Sequence, residues 1–291
     1  MSLSPDSGAT ATQIDRIVEQ IRVDNPTQHH IVAFSGGVDS SLALALTNLA
    51  FPQTTKAVIG LSAALPATQL ELARKVASTV GVSLTEQQTN EGENEDYIAN
   101  AGMSCYHCKT ALYTALSSVL HHVDAHTTGT LTLYNGTNLD DLSDPTRVGL
   151  LAASKFNVYS PLSKLPKVEV RKLAKHLGLP NHNYAASPCL RSRLAFGVEA
   201  TSDHLRKIET GEEFIRSVLS LPVETDMRLR MLAGRKAMIE LGASSTNLEE
   251  SREKLKQAGV DSLLIDELQF KAWDMRPFKS GSEAKVIELK L

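Results

Sequence analysis

Ile31-Val32-Ala33-Phe34-Ser35-Gly36-Gly37-Val38-Asp39-Ser40, running into the apolar stretch Leu42 to Phe51, decides how the first half of the chain folds. Ile31 to Phe34 is short, apolar and β-branched at its start, so it reads as a buried strand, and Asp39 to Ala50 reads as a helix. The two adjacent glycines between them let the backbone take positive φ and approach a phosphate. They also present successive N–H groups to it, to which the helix N-terminus adds its positive end. The hydroxyls of Ser35 and Ser40 can donate to the same oxygens. No lysine stands in this loop, so it is neither a Walker A sequence nor the G-x-G-x-x-G of a dinucleotide fold. Positive charge must then come from elsewhere or from Mg²⁺, with the Asp39 carboxylate the candidate ligand. The competing structural reading is a plain strand-to-helix turn with Asp39 or Ser40 as N-cap.

Working outward, Gln13 to Val23 carries a helical stripe stopped by Asp24-Asn25-Pro26, Lys56 to Leu61 is a second strand, and Pro66 to Val80 is a helix ended by Gly81. Val82 to Leu84 opens a third strand, Ser104 to Leu120 reads as an amphipathic helix, and Leu131 to Tyr134 is a strand closed by Asn135-Gly136. Val168 to Leu177 is a periodic helix with Gly178 as C-cap and Pro180 just beyond. Strands alternating with helices of this length predict an α/β fold, a doubly wound parallel sheet with ligands at its C-terminal edge. From Thr201 the pattern changes: a helix over His204 to Leu219, strands at Met227 to Met231 and Lys236 to Leu241, a helix over Asn247 to Ala258, and a strand near Ser262 to Ile265. That mixture predicts a smaller α+β domain, with the division near Ala195 to Ala200. The expected domains are therefore 1–195 and 196–291.

The 291 residues, 42% hydrophobic and 22% charged, are ordinary for a globular protein with a real core. The apolar run Leu42 to Phe51 is interrupted by Thr47 and Asn48 and is far short of the roughly 20 residues that span a bilayer. The first residues lack the basic and apolar regions of a signal peptide, which predicts a cytoplasmic protein. A net charge of -3 supplies no global field for a polyanion, so a nucleic-acid partner is not expected.

Three cysteines are too few for a secreted disulfide scaffold and fall in two motif-like places: Cys105-Tyr106-His107-Cys108, at the start of a predicted helix, and Pro188-Cys189-Leu190-Arg191-Ser192-Arg193. A redox C-x-x-C would leave Cys189 unexplained, and zinc would need His107 as a fourth ligand from inside the C-x-x-C. Three thiolates suit a [4Fe–4S] cluster that keeps one iron open for an exogenous ligand such as hydrosulfide. The bland alternative is three unrelated small core residues.

Arg228-Leu229-Arg230 on a predicted strand puts two guanidiniums on one face, a pair of forks suited to a phosphate monoester or carboxylate, unless the strand is a solvated edge with basic residues outward. Lys109, one residue after Cys108, could neutralise phosphates or an attacked carboxylate. Asp140 and Asp141 follow a strand and a glycine turn, placed for nucleotide or metal contact or for turn capping. His121, His122 and His126 invite a metal site but suit a solvated helix end better.

Ser35-Gly36-Gly37-Val38-Asp39-Ser40 resembles the PP-loop of the ATP pyrophosphatases, which cleave ATP between the α and β phosphates and adenylate an acceptor. Over almost the whole chain the sequence is similar to the LarE family, PP-loop sulfur transferases that help build the nickel-pincer nucleotide cofactor. The similarity is carried by that loop, by Cys105 to Lys109, Gly136-Thr137-Asn138-Leu139-Asp140-Asp141, Ser160-Pro161-Leu162, Lys167-Val168-Glu169-Val170-Arg171 and Pro188 to Arg193. Two departures stand out: Arg147-Val148-Gly149 where Arg-Pro-Gly would be expected, and Lys279 in Phe278-Lys279-Ser280-Gly281-Ser282 where arginine is usual. Gln269 to Arg276 also fits poorly.

The resemblance implies a PP-loop ATP pyrophosphatase domain over 1–195 and a substrate and assembly domain over 196–291. It implies an ATP- and Mg²⁺-dependent sulfurtransferase that adenylates a pyridinium dicarboxylate mononucleotide and replaces AMP with sulfur. Ser35, Gly36, Gly37, Asp39 and Ser40 would hold ATP, with Asp39 and Lys109 assisting the chemistry. Arg228 and Arg230, with the matching carboxylates Glu212 and Glu240, would hold the acceptor. Cys189 would bear the sulfur, and the presence of all three cysteines implies a cluster on Cys105, Cys108 and Cys189 fed by a sulfide source, in a homo-oligomer. Family members without the full set give up the cysteine's own sulfur. A tRNA thiolation enzyme, an amide-forming synthetase and a non-enzymatic ATP-binding module are the rivals, and none needs both the arginine pair and all three cysteines without an RNA surface.

Overall fold

The computed structural model describes residues 5–123, 130–186, 188–242 and 247–279. Its elements are α1 (Pro5–Asp24), β1 (His29–Ala33), α2 (Val38–Ala50), β2 (Thr55–Leu61), α3 (Ala67–Val80), β3 (Leu84–Gln88), α4 (Glu95–Ala99), α5 (Ser104–Val123) and β4 (Leu131–Tyr134). Then follow α6 (Leu139–Leu142), α7 (Gly149–Lys155), α8 (Lys167–His176), α9 (Ser202–Val218), β5 (Met227–Leu232), β6 (Lys236–Leu241), α10 (Leu248–Gln257) and β7 (Ala272–Pro277). By contacts the chain divides into two compact units: residues 1–61, 67–90 and 105–183 form one, and 62–66, 91–104 and 184–291 the other. The second unit thus takes in two short segments from the first half of the chain, and its main run begins at Tyr184, where the sequence reading draws its division near 195.

The first unit holds a four-stranded, all-parallel sheet in the order β3-β2-β1-β4. β1 pairs with β2 on one side and β4 on the other, Val32 lying opposite both Ala57 and Tyr134. Such a strand is covered on both faces, and Ile31 and Val32 are fully buried. α2 packs with α1, α3 and α8. On another side of the sheet Tyr113 and Leu116 of α5 and Ala152 and Ala153 of α7 close a core with Ile31, Ala33, Val58 and Leu133. This is the expected doubly wound arrangement. Because the strand order reverses direction between β1 and β4, their carboxyl ends flank the crevice where such sheets bind ligands. Ser35 and Gly136 follow those two ends.

In the second unit β5 and β6 form an antiparallel pair, Leu229 opposite Ile239, and β7 adds in parallel to β6. α9 lies on β5, bringing Ile208 and Ile215 into a core with Leu229 and Ile239. One expectation fails here. Ser262 to Ile265 is not a strand but the start of a wide π-type helical turn, Ser262–Glu267. Three consecutive apolar residues cannot distinguish the two periods, whereas Val260 and Leu264, four apart and both fully buried, follow the helical one. The third strand of the sheet is β7, in the segment that departs from the family. Among the described residues, no helix is long and apolar enough to cross a membrane.

Candidate functional site

The loop after β1 is built around one left-handed residue. Gly36 has φ +71, and a Cβ there would lie 2.9 Å from the backbone N and Cα of Ala73 on α3, so only glycine fits both the turn and the approach. Gly37, expected to share that role, is instead extended (φ -73, ψ 154), and an added Cβ would meet only Ser35 Oγ at 3.5 Å. Gly37 is the N-cap of α2 and no side chain caps it, which removes the reading of Asp39 or Ser40 as N-cap. The first-turn amides of α2 therefore keep their donors, the requirement for an anion cradle. Ser40 Oγ is 3.1 Å from Ser35 Oγ and donates to Gly37 O at 3.0 Å, so both hydroxyls sit at the mouth of the turn.

β4 ends against the same helix. A Cβ on Gly136 would lie 2.5 Å from Ser40 N and 2.6 Å from the carbonyl carbon of Asp39, so the chain after β4 lies directly on the first turn of α2. Two residues on, Asn138 Nδ2 donates to Asp39 Oδ1 at 3.0 Å, and Asn138 and Asp141 form a reciprocal capping box on α6. Capping is thus the structural use of Asp141, which also pairs with Arg147 at 2.5 Å. Asp140 Oδ2 accepts from Lys167 N at 3.1 Å, fixing the start of α8. From there Lys167 Nζ reaches the other oxygen of Asp39. The positive charge absent from the loop is supplied by the residue that opens α8.

Cys105 and Cys108 sit in the opening turns of α5, both half-buried and outside any disulfide, and Lys109 follows them, also half-buried. Gly149, in the departing Arg147-Val148-Gly149 segment, lies beside them: a Cβ there would be 3.3 Å from Lys109 Cγ and 3.5 Å from Cys105 O.

In the second unit Cys189 is exposed and precedes a 3₁₀ turn, Leu190–Arg193, whose four residues are all buried. Leu190 N donates to Ala64 O at 2.8 Å, and Arg191 Nη1 donates to Asn100 Oδ1 at 2.9 Å. Arg193 is 2% exposed and holds Glu212 with two bonds, from Nε at 2.9 Å and Nη2 at 3.2 Å, while Nη1 donates back to Cys189 O at 3.2 Å. Glu212 Oε1 also accepts Leu229 N at 3.0 Å, tying α9 to β5.

Arg228 and Arg230 of β5 are 4% and 1% exposed, which removes the solvated-edge reading. Arg230 Nε donates to the fully buried Glu240 at 2.7 Å, Nη1 to Ser192 O at 3.2 Å and Nη2 to Lys279 O at 2.7 Å. Arg276 donates to the second oxygen of Glu240 at 2.8 and 2.6 Å. Arg228 stacks over Phe278, 4.8 Å from the ring centroid. Its pKa is pulled down to about 10, first by burial and then by the neighbouring charges of Arg193 and Arg230. Among the described residues, the guanidiniums of Arg193, Arg228 and Arg230 share this interior with the carboxylates of Glu212 and Glu240.

The structure thus brings Ser35, Gly36, Gly37, Asp39 and Ser40 together in one turn, places Lys109 one residue after the C-x-x-C on α5, and gathers Glu212, Arg228, Arg230 and Glu240 in the second unit. Cys105 and Cys108 belong to the first unit and Cys189 to the second. Among the described residues of either unit, no three His, Cys, Asp or Glu side chains converge as a metal-holding group. His126 and the side chains of His121 and His122 lie outside the described residues, as do Ser280, Gly281 and Ser282. Sequence reading did not find Gln69 and Asn181, whose amides hold the loop at Ser35 O and Gly36 O, each at 2.6 Å. Neither stands in a motif, and no spacing signal marks them.

No protein-family model matches the chain. It is 36% identical over 188 residues to an uncharacterized protein of Synechocystis sp., covering 64% of this chain and 68% of that one. It is 28% identical over 171 residues to an uncharacterized protein of Methanocaldococcus jannaschii, covering 58% and 64%. Pyridinium-3,5-bisthiocarboxylic acid mononucleotide synthase of Lactiplantibacillus plantarum is 32% identical over 196 residues, 66% of this chain and 68% of the synthase. Identity of that extent is more than a shared sheet architecture would produce, and it places the chain in the LarE family, to which the Lactiplantibacillus synthase belongs.

Proposed function

We propose that this chain is an ATP-dependent sulfurtransferase that converts a carboxylate of a pyridinium dicarboxylate mononucleotide to a thiocarboxylate. The observation that carries the reading is the uncapped loop from Ser35 to Ser40 at the β1–β4 switch point, with Gly36 in the left-handed region against α3. In the first half-reaction an acceptor carboxylate oxygen attacks the α-phosphorus of ATP, and the bond to pyrophosphate breaks. The acyl-adenylate carbon then takes sulfur, and its bond to the AMP oxygen breaks. A carboxylate is a poor electrophile until its oxygen becomes a leaving group, and holding the phosphates on backbone amides and Mg²⁺ stabilises the charge that moves during that activation.

Ser35, Gly36, Gly37 and Ser40 bind the phosphates, Asp39 is the carboxylate for Mg²⁺, and Lys109 neutralises charge on the acceptor side. Arg228 and Arg230 receive the acceptor's phosphate, with Glu212 and Glu240 holding the arginine set in place. The closeness of the buried guanidiniums of Arg193, Arg228 and Arg230 supports an anionic ligand there. The Lactiplantibacillus relative's name, pyridinium-3,5-bisthiocarboxylic acid mononucleotide synthase, supports the acceptor class.

The chain carries three thiols outside any disulfide, Cys105 and Cys108 one helical turn apart on α5 and Cys189 exposed, and the resemblance to cluster-binding family members supports reading them as a three-thiolate set. A [4Fe–4S] cluster on Cys105, Cys108 and Cys189 would supply an open iron to carry sulfide. The Cys189 thiolate is the chain's own alternative donor.

Anaerobically purified protein incubated with MgATP, pyridinium-3,5-dicarboxylic acid mononucleotide and sulfide tests the reading. Expected are AMP, pyrophosphate and thiocarboxylate in matching amounts, and a cluster spectrum lost with activity in Cys105→Ala, Cys108→Ala and Cys189→Ala alike. Failure to form AMP in the presence of the acceptor overturns the function. Activity in Cys105→Ala and Cys108→Ala, with dehydroalanine at position 189, overturns the cluster and leaves Cys189 as the sulfur source.

A further inference from the structure

Backbone amides can face an anion only if the carbonyls of the same turn are held elsewhere, and this loop has a donor for each of three consecutive carbonyls. Ser35 O accepts from Gln69 Nε2 at 2.6 Å, and Gly36 O accepts from Asn181 Nδ2 at 2.6 Å. Gly37 O accepts from Ser41 N at 2.9 Å and from the hydroxyls of Ser40 and Ser41 at 3.0 and 2.9 Å. The third anchor is local to the helix, but the first two come from distant elements. Gln69 stands in the first turn of α3, and Asn181 follows α8 and Pro180.

Both side chains are more buried than glutamine or asparagine usually is, 7% and 1% exposed. Asn181 Nδ2 also donates to Ser41 Oγ at 2.9 Å, so a single amide nitrogen bridges the loop and the helix, while its Oδ1 has no hydrogen-bond partner among the described residues. A buried unpaired amide oxygen is costly. That cost is offset where the amide nitrogen is required. Replacing either side chain by an apolar one would free a carbonyl at a turn where peptide rotation points oxygen, instead of N–H, toward a bound phosphate.

We propose that Gln69 and Asn181 are positioning residues for the phosphate loop: by holding the carbonyls of Ser35 and Gly36 they fix the peptide orientation that lets this turn receive the ATP phosphates. This rests on the ATP reading above. It assigns them no contact with the nucleotide and no part in the chemistry. A role of this kind separates the phosphates from the rest of the ligand.

Equilibrium binding of ATP and of adenosine to the full chain tests it with Gln69→Met and Asn181→Leu, which keep bulk and remove the donor. ATP binding is expected to weaken about tenfold in each variant with adenosine affinity unchanged, a difference that a general loss of packing would not give. Unchanged ATP affinity in folded variants overturns the proposal, as does an equal loss for ATP and adenosine. If Asn181→Leu does not fold, Asn181→Ser, which removes the long-reach donor with less bulk, and Gln69→Met on α3 carry the same comparison. Absence of ATP binding by the unaltered chain would instead refute the function proposed above.

Discussion

The ammonium of Lys167 and the carboxylate of Asp39 form an ion pair across the loop, joining the first residue of α8 to the first turn of α2. With Asn138 on the other oxygen, both oxygens of Asp39 are engaged inside the protein. Their side chains are 31% and 26% exposed, so the pair contributes no more than about 1 kcal/mol to stability. Its larger effect is on charge: a divalent cation must displace an ammonium to reach Asp39. The unaltered chain without nucleotide is therefore expected to bind no Mn²⁺ at this position. Lys167→Met should gain a nucleotide-independent Mn²⁺ site with little change in unfolding temperature, read by the loss of the free-ion signal in electron paramagnetic resonance. Equal Mn²⁺ binding by both proteins would refute this.

Gly136→Ala tests the seat of β4 on α2. The new methyl would stand 2.5 Å from Ser40 N, against backbone that cannot turn aside as a side chain can. Overpacking of this kind costs about 1–3 kcal/mol. Denaturant unfolding should show that loss, and ATP binding should weaken with it, because the displaced atoms are those of the loop.

Glu240 holds two arginines with a carboxylate that is fully buried. Glu240→Ala should destabilise the second unit by about 3–5 kcal/mol, since Arg230 would remain buried with its principal partner gone. Urea unfolding of the full chain reads this as an early transition. A variant as stable as the parent would show that the charge finds another partner.

The pH dependence of stability has an identifiable contributor in His30. The ring is 1% exposed, stacks on Phe51 with centroids 3.6 Å apart, and pairs with Tyr134 Oη through Nδ1 at 2.9 Å. Burial lowers its pKa from 6.5 to about 4. The unfolded chain then binds a proton in the window between those values that the folded chain refuses. His30 thus leaves stability intact above pH 6.5 and removes it as pH falls toward 4, by roughly 3 kcal/mol in all. The unfolding free energy should fall along that window, and His30→Leu, which cannot titrate, should lose that part of the slope.

The run from Ile31 to Ala50 was legible because strand, glycine turn and helix follow one another with unambiguous periods, and the parallel pairing of the sheet follows from helical crossovers of ordinary length. Ser262 to Ile265 was not, because a short apolar run fits either period and only Val260, beyond it, reveals the helix. For the arginines, alternation correctly put Arg228 and Arg230 on one strand, but the extent to which Glu240, Ser192 and Lys279 occupy Arg230 depends on residues far apart in sequence. Gln69 and Asn181 are further still from recognition. A buried amide that holds a carbonyl has no periodicity and no partner type that composition can reveal.

Cys189 stands apart from its neighbours in accessibility: it is exposed, while Leu190, Arg191, Ser192 and Arg193 behind it are buried. Whatever happens to its sulfur therefore happens outside the packed part of the turn. A chain oxidised, alkylated or stripped of sulfur at this one atom would keep its melting behaviour and its resistance to proteases. Quality-control systems that recognise unfolding would not see it. Altered and intact molecules would accumulate side by side, distinguishable by mass and not by shape.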